Sequence, residues 1–236
     1  MSYRNLFNQS VKNFLIVLVS FGFVSQVKSF ERRDTLWHIS SQCTKLDSPA
    51  YCDQCTIPIV QGRCNPEPQS CEKTVEIWSQ NEQFFAMRDI KMCGCPANFV
   101  HGLVIPKSKI TGIEDPKRPK EIWSYAWQVA SDRMPLDEIG LAVNPLSRRS
   151  QNQLHVHIAR LKKNATHQTT LSIWLETSEL DLVWQLAEEA ARQQQWIDYG
   201  ILVSYIGPSR YQVQVTQESP EYLYTQAECV KQDVKK

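Results

Sequence analysis

Gln153-Leu154-His155-Val156-His157-Ile158 is the stretch on which the reading of this chain turns. Side chains alternate along an extended strand, so Gln153, His155 and His157 share one face and Leu154, Val156 and Ile158 the other. The apolar face suits a core. The polar face sets two imidazoles and an amide in a row, which a core has little use for, so it is expected to line a site. Three readings stay open on these residues alone. Two histidines at i, i+2 on a strand can hold a metal, although zinc needs further ligands and no Asp or Glu adjoins them in sequence. They can be structural, hydrogen-bonded histidines. Or one is a nucleophile while the other handles protons.

Outward from this strand, taken as residues 154–161, strands and helices mix without a βαβ rhythm. Residues 100–105 read as a strand ended by Pro106, residues 139–143 as another, and the polar, Arg-containing stretch 145–152 as a loop. Val75 and Ile77 with Phe84, Phe85 and Met87 suggest two strands around a polar turn at 79–83. After Pro116 and Pro119, Ile122, Trp123, Ala126, Val129 and Ala130 recur at helical spacing. Residues 180–191 repeat the pattern with Leu182, Val183, Leu186, Ala187 and Ala190. Residues 200–206 and 211–215 flank Gly207-Pro208-Ser209 as a hairpin, and the tail from Glu221 is expected to be helical. The class is therefore α+β with a mainly antiparallel sheet and flanking helices. Trp123 and Trp127, at i, i+4, are either core residues or a stacking surface.

The chain has 236 residues, enough for one domain and some extras, and its 26 Lys+Arg against 25 Asp+Glu leave a net charge of +1. No charge run points to nucleic acid, and none is expected as a partner. Near the N-terminus, Arg4 and Lys12 precede a short apolar run from Phe14 to Val24. Eleven helical residues rise about 16 Å against a hydrocarbon core of about 30 Å, so residues 1–29 read as a signal peptide or a short membrane anchor. The body, residues 30–236, is then expected outside the cytoplasm, membrane-associated or periplasmic. Seven of the eight cysteines fall between positions 43 and 95, and the eighth is Cys229. In an exported chain that even count reads as disulfides rather than zinc. Residues 30–72 read as a Cys-rich, loop-rich segment opened by a short helix at 34–43. If all eight cysteines are bridged, Cys229 must pair back to the cluster.

His101 opens the run His101-Gly102-Leu103-Val104-Ile105-Pro106-Lys107. With the Gln153–Ile158 strand, this resembles the histidine-triad (HIT-like) superfamily, in which two such strands face each other across the active site. Ile139-Gly140-Leu141-Ala142-Val143-Asn144, the loop Arg148-Arg149-Ser150-Gln151-Asn152, the Trp123…Trp127 helix and the turn Ile110-Thr111-Gly112-Ile113-Glu114-Asp115-Pro116 are similar to one branch, the bacterial CDP-diacylglycerol pyrophosphatases. The resemblance covers roughly residues 30–230. It implies hydrolysis of CDP-diacylglycerol, or a related nucleotide conjugate, to CMP and phosphatidate, with membrane lipid as partner and no metal or other cofactor. His155 would be the nucleophile, His157 and His101 further catalytic groups, and Asn144, Arg149, Ser150, Gln151 and Gln153 substrate-binding residues. Gln153 stands where the superfamily has its first histidine. A hydrolase of a soluble nucleotide conjugate and a non-catalytic nucleotide- or lipid-binding protein are the rival expectations.

Overall fold

In a computed structural model of the chain, residues 33–44, 76–163 and 171–230 are described. The reading of 1–29 as an export segment and of most of the Cys-rich stretch falls outside them. The described residues form an eight-stranded antiparallel sheet in the order β1-β2-β3-β5-β4-β7-β8-β6. Its strands are β1 (Ile77–Gln80), β2 (Phe84–Arg88), β3 (His101–Pro106), β4 (Ile139–Val143), β5 (Val156–Arg160), β6 (Ser172–Thr177), β7 (Gly200–Gly207) and β8 (Arg210–Thr216). Four helices accompany it: α1 (Thr35–His38), continued as a π-helical turn through Cys43, α2 (Ile122–Ser131), α3 (Val183–Gln193) and α4 (Pro220–Tyr224). Among the described residues no helix is long and apolar enough to cross a membrane.

The two faces of the sheet are covered unequally, and this locates the site. One face packs on α2 and α3 in a large core holding Val104, Leu141, Leu154, Val156, Ile158, Val203 and Val213. Trp123 and Trp127 both belong to it: Trp123 lies 4.8 Å from Trp184, centroid to centroid, and Trp127 meets the Tyr211 ring edge-on at 4.8 Å. They are core residues. Among the described residues the opposite face carries two small clusters, Leu36 of α1 on Phe85, Met87, Leu103 and Ile105, and Tyr224 of α4 on Ala142 and Leu202. The histidines lie on this lightly covered face. Gly102 of β3 sits where a Cβ would lie 2.0 Å from the Trp78 ring, so a side chain there would push that ring off the sheet.

Several elements differ from expectation for local reasons. Strand β5 begins at Val156, not at 154: pairing stops at Val104↔Val156 on one side and Ala142↔His157 on the other. The expected 180–191 helix starts as a 3-10 turn, and its buried stripe is Val183, Trp184, Ala187, Ala190 and Ala191, leaving Leu182 exposed. Strand β6 was not legible, because its half-exposed residues pair only with β8 at the sheet edge and carry no sharp apolar alternation. The C-terminal helix is five residues long; beyond it the chain runs alongside β5, through Lys162 N–H to Tyr224 O and Gln226 N–H to Arg160 O. A disulfide from Cys95 to Cys229 fastens that arm, and Cys43 and Cys93 are disulfide-bonded too. The disulfide reading therefore holds for all four described cysteines, and Cys229 does pair back to the cluster.

Candidate active site

His155 lies just ahead of β5, where the sheet ladder has ended. Its Nδ1 is 2.8 Å from the Gln153 carbonyl oxygen. A carbonyl only accepts, so Nδ1 carries the proton and donates, and Nε2 is left with its lone pair. Burial pushes the His155 pKa below the ordinary imidazole value; the Gln153 carbonyl, Glu221 and Asp89 pull the other way, and Arg149 adds to the lowering. His155 is therefore a neutral imidazole of fixed tautomer whose Nε2 keeps its lone pair.

What bends the chain there is Gln153. Its amide nitrogen donates to Pro106 O (3.0 Å) and Ser108 O (2.7 Å), and its Oε1 accepts from Ile110 N (3.3 Å). The side chain replaces the strand ladder that would otherwise continue from β3, and so splays the segment holding His155 away from it. Gln153 is buried and its amide is taken up by backbone. Expected among the substrate-binding groups, Gln153 has its side-chain amide bonded to Pro106, Ser108 and Ile110.

His157 lies one step along the same face, with ring centroids 4.7 Å from His155 and 5.5 Å from His101. Burial lowers its pKa to about 3 against the opposing pull of Glu221, so it rests neutral. Its Nε2 is 3.3 Å from Glu221 Oε2 and 3.4 Å from Asn144 Nδ2. His101 is wholly buried between two carboxylates, with Nδ1 3.0 Å from Asp89 Oδ2 and Nε2 3.1 Å from Glu221 Oε1. Burial alone would lower its pKa, but the two carboxylates outweigh it and raise it. Burial likewise works to raise Asp89, and the His101 contact overrides it, holding Asp89 down to about 2. Expected as a catalytic group, His101 has both ring nitrogens against carboxylates and its ring 5.5 Å from that of His157.

Glu221, on α4, ties these groups together. It accepts from Asn144 Nδ2 at 2.7 Å and from the Lys91 ammonium, besides its contacts to both histidines. Burial would raise its carboxyl, but His157, His101 and Lys91 hold it well below the usual carboxylate range. Ser219 caps α4, accepting from Tyr222 N, and its hydroxyl donates to Asn144 Oδ1 at 2.7 Å. That bond fixes the amide so that its N–H groups face Glu221 and His157. Both ends of the Asn144 amide are thus engaged in this network.

The loop after β4 frames the other side. Arg149 reaches the Glu114 carboxylate with two nitrogens, at 2.7 and 2.5 Å, and its side chain is only 6% exposed. Gly112, at φ +144°, makes room: a Cβ there would fall 1.8 Å from Arg149 Nη1. Ser150 is exposed. Gln151 Oε1 accepts from Leu36 N, and Asn152 bonds Arg33 O and Asp34, so this loop docks α1. Asp198 accepts from Leu146 N (2.7 Å) and Ser147 N (3.0 Å) and pins the loop's first turn. Of the expected residues, His155, His157, His101, Asn144 and Gln153 meet around β5, whereas Ser150 and Gln151 lie on the rim.

Asp89, Lys91, Ser219 and Glu221 were missed. Ser219-Pro220-Glu221 is legible as a helix start, a cap followed by Pro and an acid in the first turn, but nothing local ties it to β5. Among the described residues one cluster has donors spaced for a metal: Asp89, His101 and His157 each offer an atom within 4.8 Å of the others. An imidazolium at His101 between Asp89 and Glu221 satisfies the same charges without an ion.

A family model described as CDP-diacylglycerol pyrophosphatase matches residues 31–197. The chain belongs to that family. Among curated relatives, a CDP-diacylglycerol pyrophosphatase of Mycobacterium tuberculosis (strain ATCC 25177 / H37Ra) is 34% identical over 68 residues, covering 24% of this chain and 26% of the relative. A probable CDP-diacylglycerol pyrophosphatase of Mycobacterium leprae (strain TN) is 35% identical over 68 residues, 24% and 25%. The matched stretch spans about a quarter of these relatives' length. The residues on α4 lie beyond the span of the family match.

Proposed function

We propose that this CDP-diacylglycerol pyrophosphatase family member hydrolyses the pyrophosphate bond of CDP-diacylglycerol to CMP and phosphatidate through a nucleotidyl-histidine intermediate on His155. The observation that carries this reading is the 2.8 Å contact of His155 Nδ1 with the Gln153 carbonyl, which leaves Nε2 unprotonated. In the first half-reaction, the Nε2 lone pair forms a bond to the α-phosphorus. The P–O bond to phosphatidate breaks, and its electron pair leaves with that oxygen. In the second, water attacks the same phosphorus, the P–N bond breaks, and the electron pair returns to Nε2 as CMP departs. Lowering of the His155 pKa by burial favours this chemistry, because only the neutral ring attacks. Charge growing on the non-bridging oxygens would be met by Arg149 and by donors of the 145–151 loop, where fixed donors typically supply a few kcal/mol.

The antiparallel sheet, with the His101 strand paired to the His155–His157 strand, agrees with a histidine-triad fold. On this reading Gln153 takes over the first triad position as a backbone anchor. The N-terminal apolar run supports an exported protein working at the outer side of a membrane, with bilayer lipid as the substrate's source.

The test is release of CMP from CDP-diacylglycerol in detergent with EDTA present, by the full-length chain and by His155→Ala. Release by the wild type and none by the variant is the expected result. Release from soluble cytidine or adenosine diphosphate conjugates but not from the lipid would move the substrate class while keeping the nucleophile. Equal release by both proteins would remove His155 from the mechanism.

A further inference from the structure

Glu221 is the least expected member of the site. It is a carboxylate only 2% exposed, brought to β5 by a helix 64 residues further along the chain than His157. Four groups converge on it: His101 Nε2, His157 Nε2, Asn144 Nδ2 and the Lys91 ammonium. Burying such a carboxylate costs several kcal/mol unless cations and donors meet it. Lys91 and His101 already balance Asp89 and Glu221 in charge, so the neutral His157 beside them is not there to neutralise anything at rest. Its Nε2 side instead faces a carboxylate that would meet a positive charge on the ring. The imidazole faces His155 on one side at 4.7 Å between centroids and has Glu221 on the other.

We infer that Glu221 is the positioning residue that makes His157 the base of the hydrolytic half-reaction. The inference rests on the nucleotidyl-histidine reading given above. When water adds to the nucleotidyl phosphorus, its proton must go somewhere as the P–N bond breaks. It passes to the neutral His157 imidazole, and the resulting positive charge lies 3.3 Å from the Glu221 carboxylate. Nothing is oxidised or reduced: one P–O bond forms, one P–N bond breaks with its electrons returning to His155, and His157 later returns the proton to solvent. A base must be neutral at rest, and the Glu221 carboxylate at 3.3 Å is the group that opposes the cost of burying its charged form. The first half-reaction asks less of this pair, because the departing phosphate leaves as an anion of low basicity. Loss of Glu221 should therefore weigh on the second half-reaction more than the first.

The arm carrying Glu221 is fixed independently of the histidines. The Cys95–Cys229 disulfide, the Leu161↔Thr225 bridge and the Ser219 cap hold it against the end of β5. Glu221→Gln keeps the shape and removes the charge, and its one remaining acceptor can serve Asn144 while its NH2 faces Lys91 and His101.

The experiment is rapid mixing of the full-length chain with CDP-diacylglycerol, following phosphatidate and CMP separately and the protein by intact mass. The expected result for Glu221→Gln is a burst of phosphatidate near one equivalent, CMP release slowed about 100-fold, and cytidylylated protein accumulating. Glu221→Asp, which restores the charge, should release CMP faster than Glu221→Gln. A thermal melt of each variant, with rates expressed per folded protein, removes misfolding from the comparison. CMP release by Glu221→Gln at the wild-type rate, or equal slowing of both products with no adduct, overturns the inference while leaving the nucleophile standing. Wild-type protein that forms no adduct and releases neither product overturns the underlying reading, and the inference with it.

Discussion

Replacing Gln153 by Ala tests whether this residue shapes the site or touches substrate. The alanine variant leaves three backbone groups without the amide: Pro106 O, Ser108 O and Ile110 N. Ser108 is exposed, so its carbonyl regains water at little cost, and Pro106 O keeps the Ser40 hydroxyl at 3.0 Å, which leaves Ile110 N as the buried group that loses its partner. Each buried backbone group left unpaired costs about 1–3 kcal/mol. The variant should lose roughly 2–4 kcal/mol in all, once the small cavity beside Leu154 is included. His155 is held by the residue-153 carbonyl, which the substitution keeps. Formation of the nucleotidyl adduct should therefore fall much less than in His155→Ala, within about tenfold of wild type per folded molecule, since no group that meets the phosphorus has been removed. The assay is urea denaturation followed by tryptophan fluorescence, with adduct formation measured by mass on the same preparation. An unchanged midpoint together with a strong rise in KM would refute this reasoning and return Gln153 to the substrate.

Three further outcomes follow. The rate of adduct formation should hold below pH 6.5: the reactive form of His155 is neutral, burial lowers its pKa, and its protonation is pushed to more acid pH than for a free imidazole; a pH–rate profile with an acid limb at or above 6.5 would contradict this. Stability should decline on acidification, with His157 and Asp89 each contributing a stage. The depressed His157 loses its contribution as pH falls from its unfolded value of 6.5 towards about 3, and Asp89 does so between 3.8 and about 2. Acid denaturation of His157→Gln and Asp89→Asn should each lack the corresponding stage. Cys229→Ser should lower stability by about 2–4 kcal/mol and slow turnover as well, because the same arm seats Glu221; a calorimetric melt and a kcat measurement check both.

The sequence by itself determined the face on which the chemistry sits. Alternation over residues 153–158 sent Leu154, Val156 and Ile158 into the core and put His155 and His157 side by side, because successive strand residues must point to opposite faces whatever they pair with. It also set the antiparallel α+β class, the Trp123 and Trp127 helix and the tie of Cys229 to the cysteine cluster. Only the tertiary structure decided what surrounds those histidines. Whether His101 meets a phosphate or stands between Asp89 and Glu221, whether Gln153 faces substrate or latches Pro106, and whether Asn144 is free or bound to Ser219 all depend on partners far away in sequence. Those partners come from the loop after β2, from the end of β3 and the loop that follows it, and from the short helix α4, which packs through Pro220, Leu223 and Tyr224 and is held by the tethered arm. Local pattern is set by the geometry of one strand, but hydrogen bonding and charge at a buried site are set by which distant side chains the fold delivers within about 3 Å, and no periodicity along the chain encodes that.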